Sequence, residues 1–252
     1  MIKKIGFVVL TSAVLTIQSL AHDFWVDGNN SSTFKGIIGY GHEFPYPEKI
    51  SKDRVDILEP LSMMDKDLKS VTLKNEGENY QYVSKKSLDD GSYILKSTYK
   101  TTYWTKTTDN KFEMGKTKEE VQNAQHCRKV TKFAKSIVNI GNDNNDFVTN
   151  PIGQRLEIVP LDNPINFKVG IPFKVQVLLD GIPVTKVDLK GTFDNFIKNK
   201  FAFLGTTDSK GEVEILPLRG GKWILTTENS KKLNEKSCDD EVLEASITFQ
   251  IN

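Results

Sequence analysis

The sequence predicts a mainly β chain, built as two β-sandwich domains of immunoglobulin-like type with a short helical segment between them. Three observations lead there. β-branched and aromatic residues recur in short runs, as in residues 99–104 and 221–227. Turn signals such as Asn150-Pro151 and Asp180-Gly181 separate the runs. Within residues 173–179, Phe173, Val175, Val177 and Leu179 alternate with other residues, which marks a strand with one buried face.

The first element is a leader. Lys3 and Lys4 form a basic head, residues 5–17 are apolar apart from small residues and threonines, and small residues precede a cut after Ala21. This is the three-part pattern of a secretory signal, and its apolar run is too short to span a bilayer. Residues 1–21 are therefore expected to be removed on export to the periplasm, leaving a mature chain that begins at His22. No later stretch approaches the ~20 apolar residues of a spanning helix, so stable membrane insertion is not expected.

In the first domain, residues 22–150, strands are expected at 34–40, 55–58 and 70–73, around Tyr80 and Tyr82, around Tyr93 and Leu95, and at 99–104. A loop rich in aromatics and prolines, residues 41–48, interrupts them. Residues 117–134 contain neither Gly nor Pro, carry helix-compatible residues such as Glu119, Glu120 and Ala124, and predict one or two short helices. The Asn/Asp-rich stretch 141–146 and Asn150-Pro151 mark the junction. The second domain, residues 151–252, reads as seven short strands at 156–160, 172–179, 187–193, 200–204, 212–215, 221–227 and 244–251.

Charge excludes one class of partner. Loss of Lys3 and Lys4 with the leader leaves 32 basic residues, two fewer than the 34 of the full chain, against 33 acidic ones. Such a balance gives no electrostatic basis for binding nucleic acid. The two cysteines, Cys127 and Cys238, form an even pair in an oxidising compartment and are expected to be bridged.

No nucleophile elbow, phosphate-binding loop, dinucleotide glycine run or zinc-protease motif is present, so an enzyme is not the expectation. The informative residues are the three histidines. At a new N-terminus, His22 would offer its α-amine and its imidazole Nδ1 as a chelating pair. Their ordinary pKa values are about 8 and about 6.5, so a metal readily displaces their protons near neutrality. Nitrogen donors of this kind suit Ni(II), Co(II), Cu(II) and Zn(II). His42 follows Gly39-Tyr40-Gly41 and precedes Glu43, in a loop stiffened by Pro45 and Pro47, which is fit to hold an imidazole and a carboxylate in place. His126 adjoins Cys127 and is added to the candidate ligands on that ground.

Residues 21–26, Ala-His-Asp-Phe-Trp-Val, resemble the A-H-x-x-W start of periplasmic proteins associated with bacterial nickel and cobalt uptake, accessory to energy-coupling-factor type transporters. Residues 39–45 are similar to that family's G-Y-G-H-x-F-P segment. Residues 156–164 are similar to its L-E-I-V-P-L-x-N-P segment, and 177–181 and 207–211 to its V-L-L-D-G and T-D-x-x-G turns. The resemblance implies a periplasmic sandwich that binds a transition metal, nickel foremost, and supports its import by inner-membrane components. It carries over His22 and His42 as ligands. Two other readings stay open: a structural or adhesive module whose histidines do not converge, and a copper redox enzyme built on an N-terminal histidine brace.

Overall fold

The structure is a computed structural model that describes residues 22–252 apart from 79, 143, 144, 198 and 199. The expected leader and its cleavage point lie outside the described residues. The chain is mainly β. The first half forms β1 (Asp23–Asn30), β2 (Phe34–Gly41), β3 (Ser62–Met64), β4 (Ser70–Val71), β5 (Lys74–Asn75), β6 (Gln81–Val83), β7 (Gly91–Thr107), β8 (Phe112–Met114) and β9 (Ala124–Ile140). The second half forms β10 (Leu156–Pro160), β11 (Phe173–Leu179), β12 (Ile182–Pro183), β13 (Asp188–Phe193), β14 (Phe203–Thr206), β15 (Glu212–Ile215), β16 (Gly221–Lys232) and β17 (Asp240–Ile251).

These strands make three sheets. The largest runs β14-β13-β16-β17-β9-β7-β3-β4, with β8 added to β7. Sheet order β1-β2-β6-β5 lies on one of its faces, and the sheet of β10, β11, β12 and β15 lies on the other. Strand alternation assigns the side chains. On β9, Phe133 and Ile137 join the core shared with Leu156, Ile158, Val175 and Val177, while Ala134 joins the opposite core with Phe24, Val26, Tyr40 and Tyr99. The position 150 boundary falls between β9 and β10, and the largest sheet takes strands from both sides of it: β17 pairs in parallel with β9, from Asp240 opposite Arg128 to Thr248 opposite Ser136.

The helical segment expected at 117–134 is corrected. Its start signal is real but local: the Glu120 carboxylate accepts from the backbone N–H and hydroxyl of Thr117, both at 2.8 Å, and closes a single turn. Asn123, at φ 59°, ends that turn. From Ala124 the chain enters β9, whose two edges are taken by β7 and β17. Pairing on both edges and burial on both faces outweigh a helix preference of a few tenths of a kcal/mol per residue.

A covalent tie joins two strands of the largest sheet, and an ionic one crosses between sheets. Cys127 and Cys238 are bridged as expected, with Cα atoms 4.8 Å apart at a sequence separation of 111. In the chain-entropy picture a loop of that size contributes on the order of 4 kcal/mol. Lys135 Nζ meets Glu157 Oε1 at 2.6 Å with both side chains buried. Glu157 also accepts from the backbone N–H groups of Ile152, Gly153 and Gln154. The buried carboxylate therefore has several donors, as burial of a charge demands.

Candidate metal centre

The site is a product of the β1–β2 register. Asp23 pairs with Gly41 and Phe24 with Tyr40, so the next rung outward sets His22 opposite His42. Their rings lie 4.2 Å apart between centroids. Tyr40, the diagonal neighbour on the same face, stacks on His22 at 4.5 Å with planes 9° apart. Arg54 pins Tyr40 in turn, donating to its hydroxyl at 3.1 Å. Beneath them, Lys132 of β9 donates to the His22 carbonyl at 2.7 Å and pairs with Glu244 at 2.9 Å. The residue expected at the mature N-terminus is thus fixed by its main chain and by its ring.

Residues 41–48 fold back over this rung. The backbone N–H of Tyr46 donates to Glu43 O at 2.7 Å, and that of Glu48 to Tyr40 O at 2.9 Å. Gly41 makes the return feasible, because a Cβ there would lie 3.0 Å from Glu48 Cγ and 3.2 Å from Glu48 N. Phe44 anchors the loop by packing edge-on against Trp25, 5.8 Å between centroids, in a small cluster with Ile224 of the largest sheet. Glu48 then reaches the imidazole: its Oε2 is 3.2 Å from His22 Nε2, and its Oε1 accepts from the His42 backbone N–H at 3.2 Å.

His22, His42 and Glu48 each place one donor atom within 4.8 Å of the others. The 3.2 Å between His22 Nε2 and Glu48 Oε2 is the separation of two ligands about 2.1 Å from one ion at an angle near 100°. Two imidazoles and a carboxylate form a borderline donor set, which fits nickel, cobalt, copper or zinc. The arrangement also fits a second mode. With Nε2 turned to Glu48, the Nδ1 of His22 is left for the chelate with its own α-amine, and Glu48 becomes the partner that orients the ring.

Electrostatics favour the metal-ready form. Burial and the neighbouring His42 hold His22 below its ordinary imidazole value, against the opposing pull of Glu48. For Glu48, burial works to raise the carboxyl. The His22 contact and the His42 backbone N–H outweigh it and hold the group below its ordinary value. Tyr40 is raised by burial, in spite of Arg54, and keeps its phenolic proton.

Of the four candidate ligands, the structure brings two together. Glu43 is not among the clustered donors, because it pairs with Tyr46 across the turn and the return leg supplies the carboxylate instead. His126 stands elsewhere: its Nε2 is 2.7 Å from Asp240 and its Nδ1 3.4 Å from Asp239, beside the disulfide. It lies six residues along β9 from Lys132, roughly 20 Å of strand. Glu48 was missed by the sequence reading, although Gly41 and the two prolines ahead of it are the signal of a tight return.

No curated protein matches the chain. Among solved structures, the D0-D1 domain of intimin is similar at 12% identity, over 90% of this chain and 97% of that one, with a TM-score of 0.23. At that score the likeness carries no argument about fold or function. Over residues 19–231 the chain matches the family described as a domain of unknown function, DUF4198, and it belongs to that family.

Proposed function

We propose that this chain is an exported protein that binds a transition-metal ion, nickel foremost, and supports its import by a membrane transporter. The observation that carries the reading is the convergence of His22, His42 and Glu48 at one end of the β1–β2 hairpin. In this reading the leader is cut after Ala21 and the new α-amine joins the His22 Nδ1 in gripping the ion. His42 supplies a further nitrogen, and Glu48 holds the His22 ring through Nε2. The ion is cargo. Its half-exposed position, with His42 and Glu48 open to solvent, suits capture and hand-over better than a sealed structural site. The motif resemblance set out above selects nickel from among the metals this donor set accepts.

Calorimetry with Ni(II) tests the reading on two forms, one beginning at His22 and one with a single residue added before it. The extended form is expected to bind at least tenfold more weakly. Equal affinity would remove the α-amine from the mechanism, and no binding by either form would remove the metal.

A further inference from the structure

The β1–β2 sheet covers only part of the large sheet's face. Ser246 and Thr248 of β17 donate to the carbonyls of Phe24 and Val26, which seats β1 on that face. Beyond the start of β1 the face lies open and forms a groove of about 570 Å³, walled by Asp23 and Phe24 on one side and Phe201 on the other. That volume falls within the ~300–1,000 Å³ of small-ligand pockets.

The register gives the floor. Lys190, Thr226 and Ser246 lie side by side on β13, β16 and β17. The next row is Asp188, Glu228, Glu244 and Lys132. Most of these charges are spoken for: Glu228 pairs with Arg128 at 3.0 Å, Glu244 with Lys132 at 2.9 Å, and Asp188 accepts from the Thr206 hydroxyl at 2.9 Å. Two are not. Among the described residues, neither the Asp23 carboxylate nor the Lys190 ammonium has an ion pair, and Lys190 rests over the Phe201 ring at 5.3 Å. Among the described residues, the groove thus presents one anion without an ion pair, Asp23, and two such cations, Lys186 and Lys190, of which Lys190 stands in the row of Thr226 and Ser246 on the floor. The half-exposed Phe201 ring supplies apolar surface beside them.

We infer that this groove binds a short zwitterionic peptide with an apolar side chain, its ammonium on Asp23 and its carboxylate on Lys190. The Thr226 and Ser230 side of the floor offers hydroxyls to the peptide backbone, and Phe201 covers the apolar side chain. The site does not depend on the metal reading. The Asp23 side chain leaves β1 on the face opposite to that of its neighbour Phe24, whose partner Tyr40 carries the His22 ring.

The test is calorimetry of the purified protein, in the presence of a chelator so that metal plays no part, with three probes. These are glycyl-phenylalanine, its N-acetyl form and its C-terminal amide. The unblocked dipeptide is expected to bind, and each blocked form at least tenfold more weakly. Asp23→Asn should weaken the dipeptide by a similar factor while leaving the N-acetyl form unchanged. Absence of binding at millimolar peptide, or an affinity indifferent to both blocking groups, would overturn the inference. Neither result would touch the Ni(II) titration.

Discussion

Glu48 shows how a single carboxylate can complete a site without sitting next to its partners in sequence. It follows His42 by six residues and His22 by twenty-six, and it reaches both through a loop that Gly41 allows to close. Replacing it with Ala is expected to weaken Ni(II) binding by about 10- to 100-fold, whether it is a ligand or the partner that orients His22. The side chain is half exposed, so circular dichroism and thermal melting of the metal-free protein should change little. Because burial and His42 hold the His22 imidazole below its ordinary value, protons compete for this ring only at more acid pH. In the parent protein, affinity should therefore decline in two separated steps, the first at the α-amine, whose ordinary value is about 8, and the second, from the His22 ring, below the usual imidazole range. A pH series of the same titration checks both points.

At the scale of elements, the β1–β2 hairpin is organised around Trp25. Its ring is fully buried, and it occupies the space a side chain on Gly39 would need: a Cβ there would lie 1.9 Å from the ring. Gly39→Ala must displace Trp25, and with it Phe44 and the loop that carries His42. Overpacking of this kind is expected to cost about 2–3 kcal/mol, measurable as a lower urea midpoint and a shifted tryptophan emission. Legibility in the sequence followed the same logic of local against distant forces. The strands at 156–160 and 212–215 were read to the residue, because each carries its apolar run between clear turns. Residues 55–58 were expected as a strand, yet Lys52–Ile57 is a 3-10 helix closed by i to i+3 bonds such as Leu58 N–H to Val55 O at 3.1 Å. β9 was mistaken for helix because nothing within residues 117–134 announces that β7 and β17 will take both its edges. At the site, His22 and His42 were legible from their motifs, whereas Glu48 depended on a chain return that only the folded loop reveals.

For the whole molecule, the ties between layers set the response to acid. Glu241 on β17 meets Arg155, just ahead of β10, at 3.0 Å and Lys231 on β16 at 2.9 Å. The Arg155 contact, together with Lys231 and against the effect of burial, lowers the Glu241 carboxyl from 4.5 to about 2. A folded-state pKa below the unfolded one stabilises the protein above the unfolded value, and that stability is lost as pH falls from 4.5 through about 2. The shift bounds the contribution at about 3 kcal/mol, and the solvent around Arg155 and Lys231 brings it to on the order of 2 kcal/mol. Glu241→Gln should therefore be less stable than the parent by that amount at pH 7. The gap should close near pH 2, as read by urea unfolding at the two conditions.

Both sulfurs of the Cys127–Cys238 bridge are shut away from solvent. They lie where β9 and β17 begin to run together, one step from the Asp240–Arg128 rung. A small thiol such as dithiothreitol can attack only after those two strand ends have come apart. Chemical reduction of the native protein then becomes a clock for that opening. At high reductant its rate should level off at the frequency with which the strands unzip, whatever the reagent's own strength.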